Sequence, residues 1–229
     1  MRGLKNLLLR LARLVVLLLA AGLLQGAAYA SEPVIVTQAL ADLDGNGRLD
    51  RIELRMVSGR RYVDEKPWCG MSQGGTPKYE GRFILRITPA GRRPVDTDLN
   101  ALFGENGDMW FYANAWPIIF WDYNGDGRVE FSLGQYGSCN GWIYRILGVE
   151  RTGRVAALSG DIFSADRAGS SAALHPTRLG FRHTWYDNSR GSAFCAEFAW
   201  DKKARRFRQK SETTQPCPED QRRDPGHDP

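Results

Sequence analysis

The sequence predicts an all-β protein built from antiparallel sheets. Three observations lead to this prediction. Short runs of β-branched and aromatic residues alternate with polar residues, and glycine-rich turns separate these runs. No window of about twelve residues combines a helical apolar stripe with helix caps. The same oxygen-rich pattern also occurs twice, eighty residues apart, each time between two β-like runs.

The elements follow one another as short strands and turns. Strands are predicted over Val34–Thr37, Ile52–Val57, Arg82–Thr88, Trp142–Glu150, Leu179–Tyr186, Ala193–Trp200 and Arg205–Lys210. Hairpin turns are predicted at Asn106–Gly107 and Asp201–Lys203, single helical turns over Thr97–Phe103 and Asp161–Ala168, and long loops over 58–81 and 164–176. These strands are expected to pair in an antiparallel arrangement.

The N-terminus has the pattern of a cleavable signal peptide. Four basic residues and no acid precede an apolar run from Leu14 to Leu24, and Ala28 and Ala30 supply the small residues of a cleavage site. As a helix this run would rise only about 16 Å, roughly half the hydrocarbon thickness of a bilayer. We therefore expect residues 1–30 to be removed, no stable membrane anchor afterwards, and a periplasmic or secreted protein.

Removal of the leader leaves a nearly neutral chain. The remaining residues include 27 basic and 26 acidic side chains, a net charge of +1. Such a balance gives no reason to expect a nucleic-acid partner. The segment 202–210 is locally basic, with six Lys or Arg residues in nine, and we interpret it as the arm of a β-hairpin rather than a binding site for anions.

Length and cysteine content define the domain. We expect one β domain over 31–215 with two degenerate repeats, followed by a disordered polar tail over 216–229. Four cysteines in an exported chain favour two disulfides, and sequence alone allows three pairings. The pairing we favour joins Cys69 to Cys139 and Cys195 to Cys217.

The two oxygen-rich runs are the candidate functional sites. We call residues 42–50 the first acidic loop and residues 122–130 the second acidic loop. Oxygen side chains occupy positions 1, 3, 5 and 9 of each, and glycine occupies position 6. The residues are Asp42, Asp44, Asn46 and Asp50 in the first loop, and Asp122, Asn124, Asp126 and Glu130 in the second.

This spacing indicates calcium. A chain wrapped around Ca²⁺ presents alternate side-chain oxygens and a backbone carbonyl at position 7, to reach about six to eight ligands. The position-7 carbonyls belong to Arg48 and Arg128. We therefore predict two Ca²⁺ sites, one in each loop.

The flanking residues decide which kind of calcium loop this is. Glu53 stands at position 12, where a bidentate acid completes an EF-hand, but Leu133 stands there in the second copy. EF-hand and dockerin loops lie between helices, whereas Val34–Thr37 and Ile118–Trp121 are strand-like. Glu53 remains a candidate ligand of the first loop alone.

With strands on both sides, the two loops resemble those of FG-GAP and VCBS repeat proteins. The motif positions that match are Asp42, Asp44, Asn46, Gly47 and Asp50, then Asp122, Asn124, Asp126, Gly127 and Glu130. The resemblance implies calcium-loop hairpins that form the blades of a β-propeller, with ions that mainly brace the structure. At about 40 to 50 residues per blade the chain allows at most four blades. A small or incomplete propeller and a β-sandwich are both open.

The expected function is calcium-stabilised, non-catalytic binding of an unknown protein or glycan. The alternative is a secreted hydrolase, or a carbohydrate-binding module, with structural calcium. The chain has neither a G-x-S-x-G nor an H-E-x-x-H motif, and we interpret His175 and His183 as exposed or capping residues. Trp68 and Tyr136 lie in glycine-rich segments, where aromatic rings could stack on a sugar.

Overall fold

Three antiparallel β-sheets and one short helix make up the part of the chain that the structure describes. The computed structural model describes residues 33–63, 77–112, 118–138, 141–164, 174–187, 189–214 and 217. The strands are β1 Val34–Ala41, β2 Asp50–Val63, β3 Pro77–Thr88, β4 Val95–Asp98, β5 Met109–Tyr112, β6 Ile119–Trp121, β7 Glu130–Ser138, β8 Gly141–Val149, β9 Val155–Ala157, β10 Ile162–Ser164, β11 Leu174–Thr177, β12 Gly180–Asp187, β13 Ser192–Asp201 and β14 Arg206–Thr213. The all-β prediction is confirmed.

The first two sheets share one topology. The first sheet has the order β1-β2-β3-β4, and the second has the order β6-β7-β8-β10. In each sheet a further short strand also pairs with the third strand, β5 with β3 and β9 with β8. The third sheet, β11-β12-β13-β14, is a plain meander, and none of these three sheets closes on itself. The repeat seen in the sequence is therefore a repeat of strand order.

The second sheet lies between the other two. One apolar cluster joins the first sheet to one face of the second, and a separate cluster joins the other face of the second sheet to the third. The alternation along β8 explains how, because Leu147 belongs to the first cluster whereas Tyr144 and Ile146 belong to the second. Open sheets packed in this way are compatible with a small β-sandwich architecture.

The long central hairpin of the first sheet corrects the predicted loop over 58–81. β2 extends to Val63 and β3 begins at Pro77, so both ends of that segment are strand. Gly59 and Gly81 face each other in this hairpin, and a Cβ at either position would lie 2.1 or 2.0 Å from a backbone oxygen. The glycines that suggested a loop instead permit a close approach of two strands.

The two predicted helical turns have different outcomes. Helix α1 spans Leu99–Phe103, begins at the Asp98 N-cap, whose side chain accepts a hydrogen bond from the Ala101 N–H, and ends at Gly104. The turn predicted within Thr97–Phe103 is confirmed. The turn predicted over Asp161–Ala168 is wrong where the structure describes it, because Ile162–Ser164 form β10 and pair with β8.

The remaining sequence predictions fall into two groups. A disulfide joins Cys195 to Cys217, as expected, and the basic segment 202–210 includes the turn and the start of β14 in the β13–β14 hairpin. Cys69 and Cys139 lie outside the described residues, as do 1–30 and 216–229 apart from Cys217. In the described part, no helix is sufficiently long and apolar to cross a membrane.

Candidate metal centre

Each acidic loop connects two neighbouring antiparallel strands. The first acidic loop joins β1 to β2, with Ala41 opposite Asp50, and the second joins β6 to β7, with Trp121 opposite Glu130. The position-1 acid follows the end of one strand, and the position-9 acid begins the next. The strand pairing therefore brings the two ends of each oxygen-rich run together.

Side-chain oxygens of the first acidic loop accept backbone N–H groups of the same loop. Asp42 accepts hydrogen bonds from the N–H groups of Asn46 at 2.9 Å and Gly47 at 2.7 Å. The Asn46 side chain accepts one from the Arg48 N–H at 2.8 Å. These bonds curl the chain so that its side-chain oxygens converge.

The second acidic loop repeats this arrangement position by position. Asp122 accepts the N–H groups of Asp126 at 3.1 Å and Gly127 at 2.9 Å. Asp126 accepts the N–H of Arg128 at 2.9 Å, as Asn46 does from Arg48 in the first loop. Equivalent bonds in two loops eighty residues apart indicate that one local conformation is encoded twice.

Three carboxylates converge in each loop. Asp42, Asp44 and Asp50 form one group, Asp122, Asp126 and Glu130 form the other, and the candidate ligand atoms within each group lie within 4.8 Å of one another. Either group could hold a metal ion, because hard cations such as Ca²⁺ take clustered oxygen ligands.

The position-9 acid closes each loop from the buried side. Asp50 accepts hydrogen bonds from the Leu43 N–H at 3.2 Å and, through its other oxygen, from the Ala90 N–H at 2.8 Å. Glu130 accepts the Tyr123 N–H at 2.9 Å. Asp50 and Glu130 are both buried, so their carboxylates depend on these donors rather than on water.

The environment of Glu130 disfavours its charged form. Burial raises the pKa of Glu130 to about 7, and the nearby charges of Asp126 and Asp122 also favour its neutral form. Its Oε1 accepts a hydrogen bond from the Asn124 side-chain amide at 2.5 Å. A cation in this loop would reduce the repulsion among the three carboxylates.

Apolar anchors at position 2 hold both loops onto the domain. Leu43 and Tyr123 are fully buried, and they belong to the two different apolar clusters. The Tyr123 ring makes an edge contact with Phe181 of the third sheet, at 5.9 Å between centroids. These anchors were not identified from the sequence, although an apolar residue at position 2 of both polar loops indicates that this position is buried.

Glu53 is not brought to the other candidate ligands. Glu53 lies three positions after Asp50 along β2, and this odd spacing places the two side chains on opposite faces of the strand. Glu53 is buried and pairs with Arg55 at 3.0 Å. It belongs to a row of polar residues in register across four strands, Gln38, Glu53, Arg86 and Asp96.

The two acidic loops touch each other. A Cβ on Gly45 would stand 3.5 Å from the Cγ of Arg128 and 3.5 Å from the backbone oxygen of Gly127. The guanidinium of Arg128 lies 3.8 Å from Asp126. The Arg128 side chain therefore lies between the loops, in addition to the backbone role predicted for it.

The other sequence candidates are less informative. His183 is buried, its Nε2 lies 2.6 Å from the Phe163 carbonyl oxygen, and its ring stacks on Trp185, so its interpretation as an exposed or capping residue is wrong. Trp68 and the side chain of Tyr136 lie outside the described residues.

Comparison with known proteins gives no assignment. No protein-family model matches the chain, and neither the curated proteins nor the solved structures include a detectable match. The case for a function therefore depends on the two acidic loops themselves.

Proposed function

We propose that this chain is an exported calcium-binding β domain, stabilised by Ca²⁺ at its two acidic loops, that binds a ligand or partner without catalysis. The observation that carries the proposal is the duplicated loop. Two runs with the same spacing of oxygens each connect a pair of antiparallel strands. In each run, the ligand atoms of three carboxylates lie within 4.8 Å of one another. An ordinary turn needs no such convergence.

The repeated sheet topology agrees with the resemblance to FG-GAP and VCBS repeats. In the first two sheets the acidic loop connects the first and second strands, and two short strands pair with the third. On this proposal each of these sheets corresponds to one blade-like repeat, and the third sheet to a divergent one. Calcium then braces the strand connection in the first two repeats.

Export is part of the proposal. A signal peptide over 1–30 and the Cys195–Cys217 disulfide are both typical of proteins that mature in an oxidising compartment. Expression of the full chain in a Gram-negative host, followed by N-terminal sequencing of the periplasmic fraction, tests this point. We expect a mature chain that begins at Ser31; an unprocessed chain confined to the cytosol would contradict it.

Calorimetric titration of the processed protein with Ca²⁺ tests the metal sites. Two sites are expected, with Kd on the order of 0.1 to 1 mM. Asp42→Asn should remove the first site and Asp122→Asn the second, because each is the position-1 ligand of its loop. Asp108→Asn, at an exposed acid outside both loops, is the matched control.

Thermal unfolding with and without a chelator provides an independent reading. Ca²⁺ at ten to a hundred times its Kd stabilises the folded state by roughly 1.4 to 2.7 kcal/mol per site. For a domain of this size the gain corresponds to a Tm increase of about 3 to 10 °C per site. No binding heat together with an unchanged Tm would reduce both loops to metal-free turns.

A further inference from the structure

A groove opens beside the first acidic loop, and two members of that loop's carboxylate group, Asp44 and Asp50, lie in its wall. Its volume is about 650 Å³, within the range of roughly 300 to 1,000 Å³ that small-molecule sites occupy. Its walls come from the first acidic loop, from the β3–β4 turn, from Arg128 of the second acidic loop and from the β8–β9 turn. Four segments distant in sequence therefore build one concave surface.

Four arginines line this groove, and we call it the arginine groove. They are Arg92 and Arg93 of the β3–β4 turn, Arg128, and Arg151 of the β8–β9 turn. Within the described part of the chain, the guanidinium groups of Arg92, Arg93 and Arg151 have no ion pair or hydrogen bond. Arg128 has a distant partner in Asp126, at 3.8 Å. Most of this positive charge is therefore available to a ligand.

Three acids, Asp44, Asp50 and Glu150, also line the groove. Both oxygens of Asp50 accept backbone N–H groups, and Asp44 belongs with Asp50 to the candidate metal group of the first acidic loop. Glu150 lies 3.3 Å from the hydroxyl of Thr152, which donates a hydrogen bond to it. The lining therefore carries four guanidinium groups against three carboxylates, a net charge of +1.

An apolar surface lies among these charges. Pro89, Val95 and Val149 line the groove and are half-buried, so they contribute the apolar surface that a ligand can reach. Leu43 and Ile87 also line it but are almost completely buried. A site with apolar lining and a few charged groups suits a ligand with a carbon body and charged substituents. An inorganic anion alone would leave this surface uncovered.

The walls of the groove are held together. The Val155 N–H donates a hydrogen bond to the Thr97 hydroxyl at 3.0 Å, which links β9 of the second sheet to β4 of the first. Gly153 is packed against Val95, because a Cβ there would lie 3.1 Å from a Val95 methyl group. The two turns that carry three of the arginines are therefore fixed relative to each other, and the groove is preformed.

We propose that the arginine groove binds a small organic anion, whose carbon body lies on the apolar lining and whose carboxylate or phosphate groups pair with the arginines. The planar guanidinium group pairs with both kinds of oxyanion through two parallel hydrogen bonds. The inference rests on the proposed role as a non-catalytic binding protein, and it names the chemical class of the ligand. Calcium in the first acidic loop would add positive charge to the same wall.

The test is titration of the processed protein with two aromatic anions, phenyl phosphate and phthalate, in calcium-containing buffer. Phthalamide has the shape of phthalate without its charge and is the neutral control. Binding of either anion, and none of phthalamide, is expected. Tighter binding of one of the two anions shows which of these probes the arginines accept better.

Substitution of single arginines tests whether the anion binds in the arginine groove. Arg92→Gln and Arg151→Gln should each weaken binding about tenfold, because each removes one charge-assisted contact. Arg206→Gln, at an exposed arginine in β14, should change the affinity less than about twofold. No binding of either anion, or an equal loss in all three variants, would overturn the proposal.

Separate titration with Ca²⁺ on the same preparation distinguishes two failures. Calcium binding without anion binding removes the groove proposal alone. Anion binding localised to the arginines, without calcium binding, leaves the groove and removes the metal sites.

Discussion

Gly45 of the first acidic loop lies against Arg128 of the second, so that a Cβ on Gly45 would be 3.5 Å from the Arg128 Cγ. A Cβ alone would make an ordinary van der Waals contact, but a branched side chain would push the loops apart. Gly47→Val is a matched control, because Gly47 has a similar positive φ and open space around its Cβ position. Both variants share the backbone strain, and only Gly45→Val adds the steric conflict.

The first prediction concerns this contact between the loops. Gly45→Val should lower the free energy of unfolding by about 1 kcal/mol more than Gly47→Val does, because overpacking is costly. It should also weaken Ca²⁺ binding at the second acidic loop, which Gly47→Val should leave unchanged. Urea unfolding and calcium titration measure the two effects. Equal behaviour of the two variants would show that the loops are energetically independent.

The local design of the acidic loops is readable from the sequence, whereas their proximity is not. Positions 1, 3, 5 and 9 bring their oxygens together through bonds within nine residues, such as Asp42 to the Gly47 N–H. The contact of Gly45 with Arg128 depends on how two sheets pack, which local spacing does not encode. The arginine groove was missed for the same reason, since Arg92 and Arg151 come from separate turns.

The second prediction concerns Glu130→Gln, which should raise the stability of the metal-free protein and lower that of the calcium-bound protein. Glu130 has a folded-state pKa of about 7 against an ordinary value of 4.5, so the folded state holds this proton more tightly than the unfolded state does. In metal-free protein, the contribution of Glu130 to the free energy of unfolding should therefore decrease as pH rises from about 4.5 to 7, and it should then stay constant. Glu130→Gln removes the charge and this dependence.

At pH 8 without metal, Glu130→Gln should be more stable than the wild type by on the order of 2 kcal/mol. With saturating Ca²⁺ the order should reverse, because the variant lacks one charged ligand. Thermal unfolding in chelator and in calcium measures both arms. A variant less stable than the wild type in chelator at pH 8 would refute the account of Glu130 as a carboxylate destabilised by burial.

The fate of Glu53 shows where sequence spacing misleads. Position 12 of an EF-hand lies on a helix, which turns the acid back toward the ion, but here the chain continues as β2. Glu53 instead belongs to the polar row that includes Arg86 and Asp96. The strand-like flanks predicted this outcome better than the motif did.

The third prediction concerns the outer end of that polar row. Arg86 donates two hydrogen bonds to Asp96, at 2.6 and 2.7 Å, and they hold the pKa of Asp96 below its ordinary value. The stabilisation should be complete above about pH 4 and should be lost as pH falls through the lowered pKa. Because the Asp96 side chain is 41% exposed, we expect less than about 1 kcal/mol.

A double-mutant cycle with Asp96→Asn and Arg86→Gln isolates this pair. The coupling energy should be measurable at pH 7 and smaller at pH 2, because protonation of Asp96 as pH falls through its lowered pKa removes the charge. A coupling energy that is the same at both pH values would mean that the pair interacts through packing rather than charge.

The fourth prediction concerns the disulfide between Cys195 and Cys217, which are 22 residues apart. Closing a loop of this length restricts the unfolded chain and stabilises the folded state by about 3 kcal/mol. The link also fixes Cys217, whose N–H donates a hydrogen bond to the Thr184 hydroxyl at 3.1 Å, against the third sheet. The double variant Cys195→Ser with Cys217→Ser should lose this stabilisation, which corresponds to a Tm decrease of roughly 6 to 12 °C. Urea unfolding should show a larger m value as well, because the unfolded state without the link exposes more surface.

Thr184→Val is the matched control, since it removes the hydrogen bond and keeps the disulfide, and its cost should stay near 1 kcal/mol. If both variants lost the same small amount, the link would contribute no more than the local hydrogen bond, and the third sheet would be stable without covalent closure.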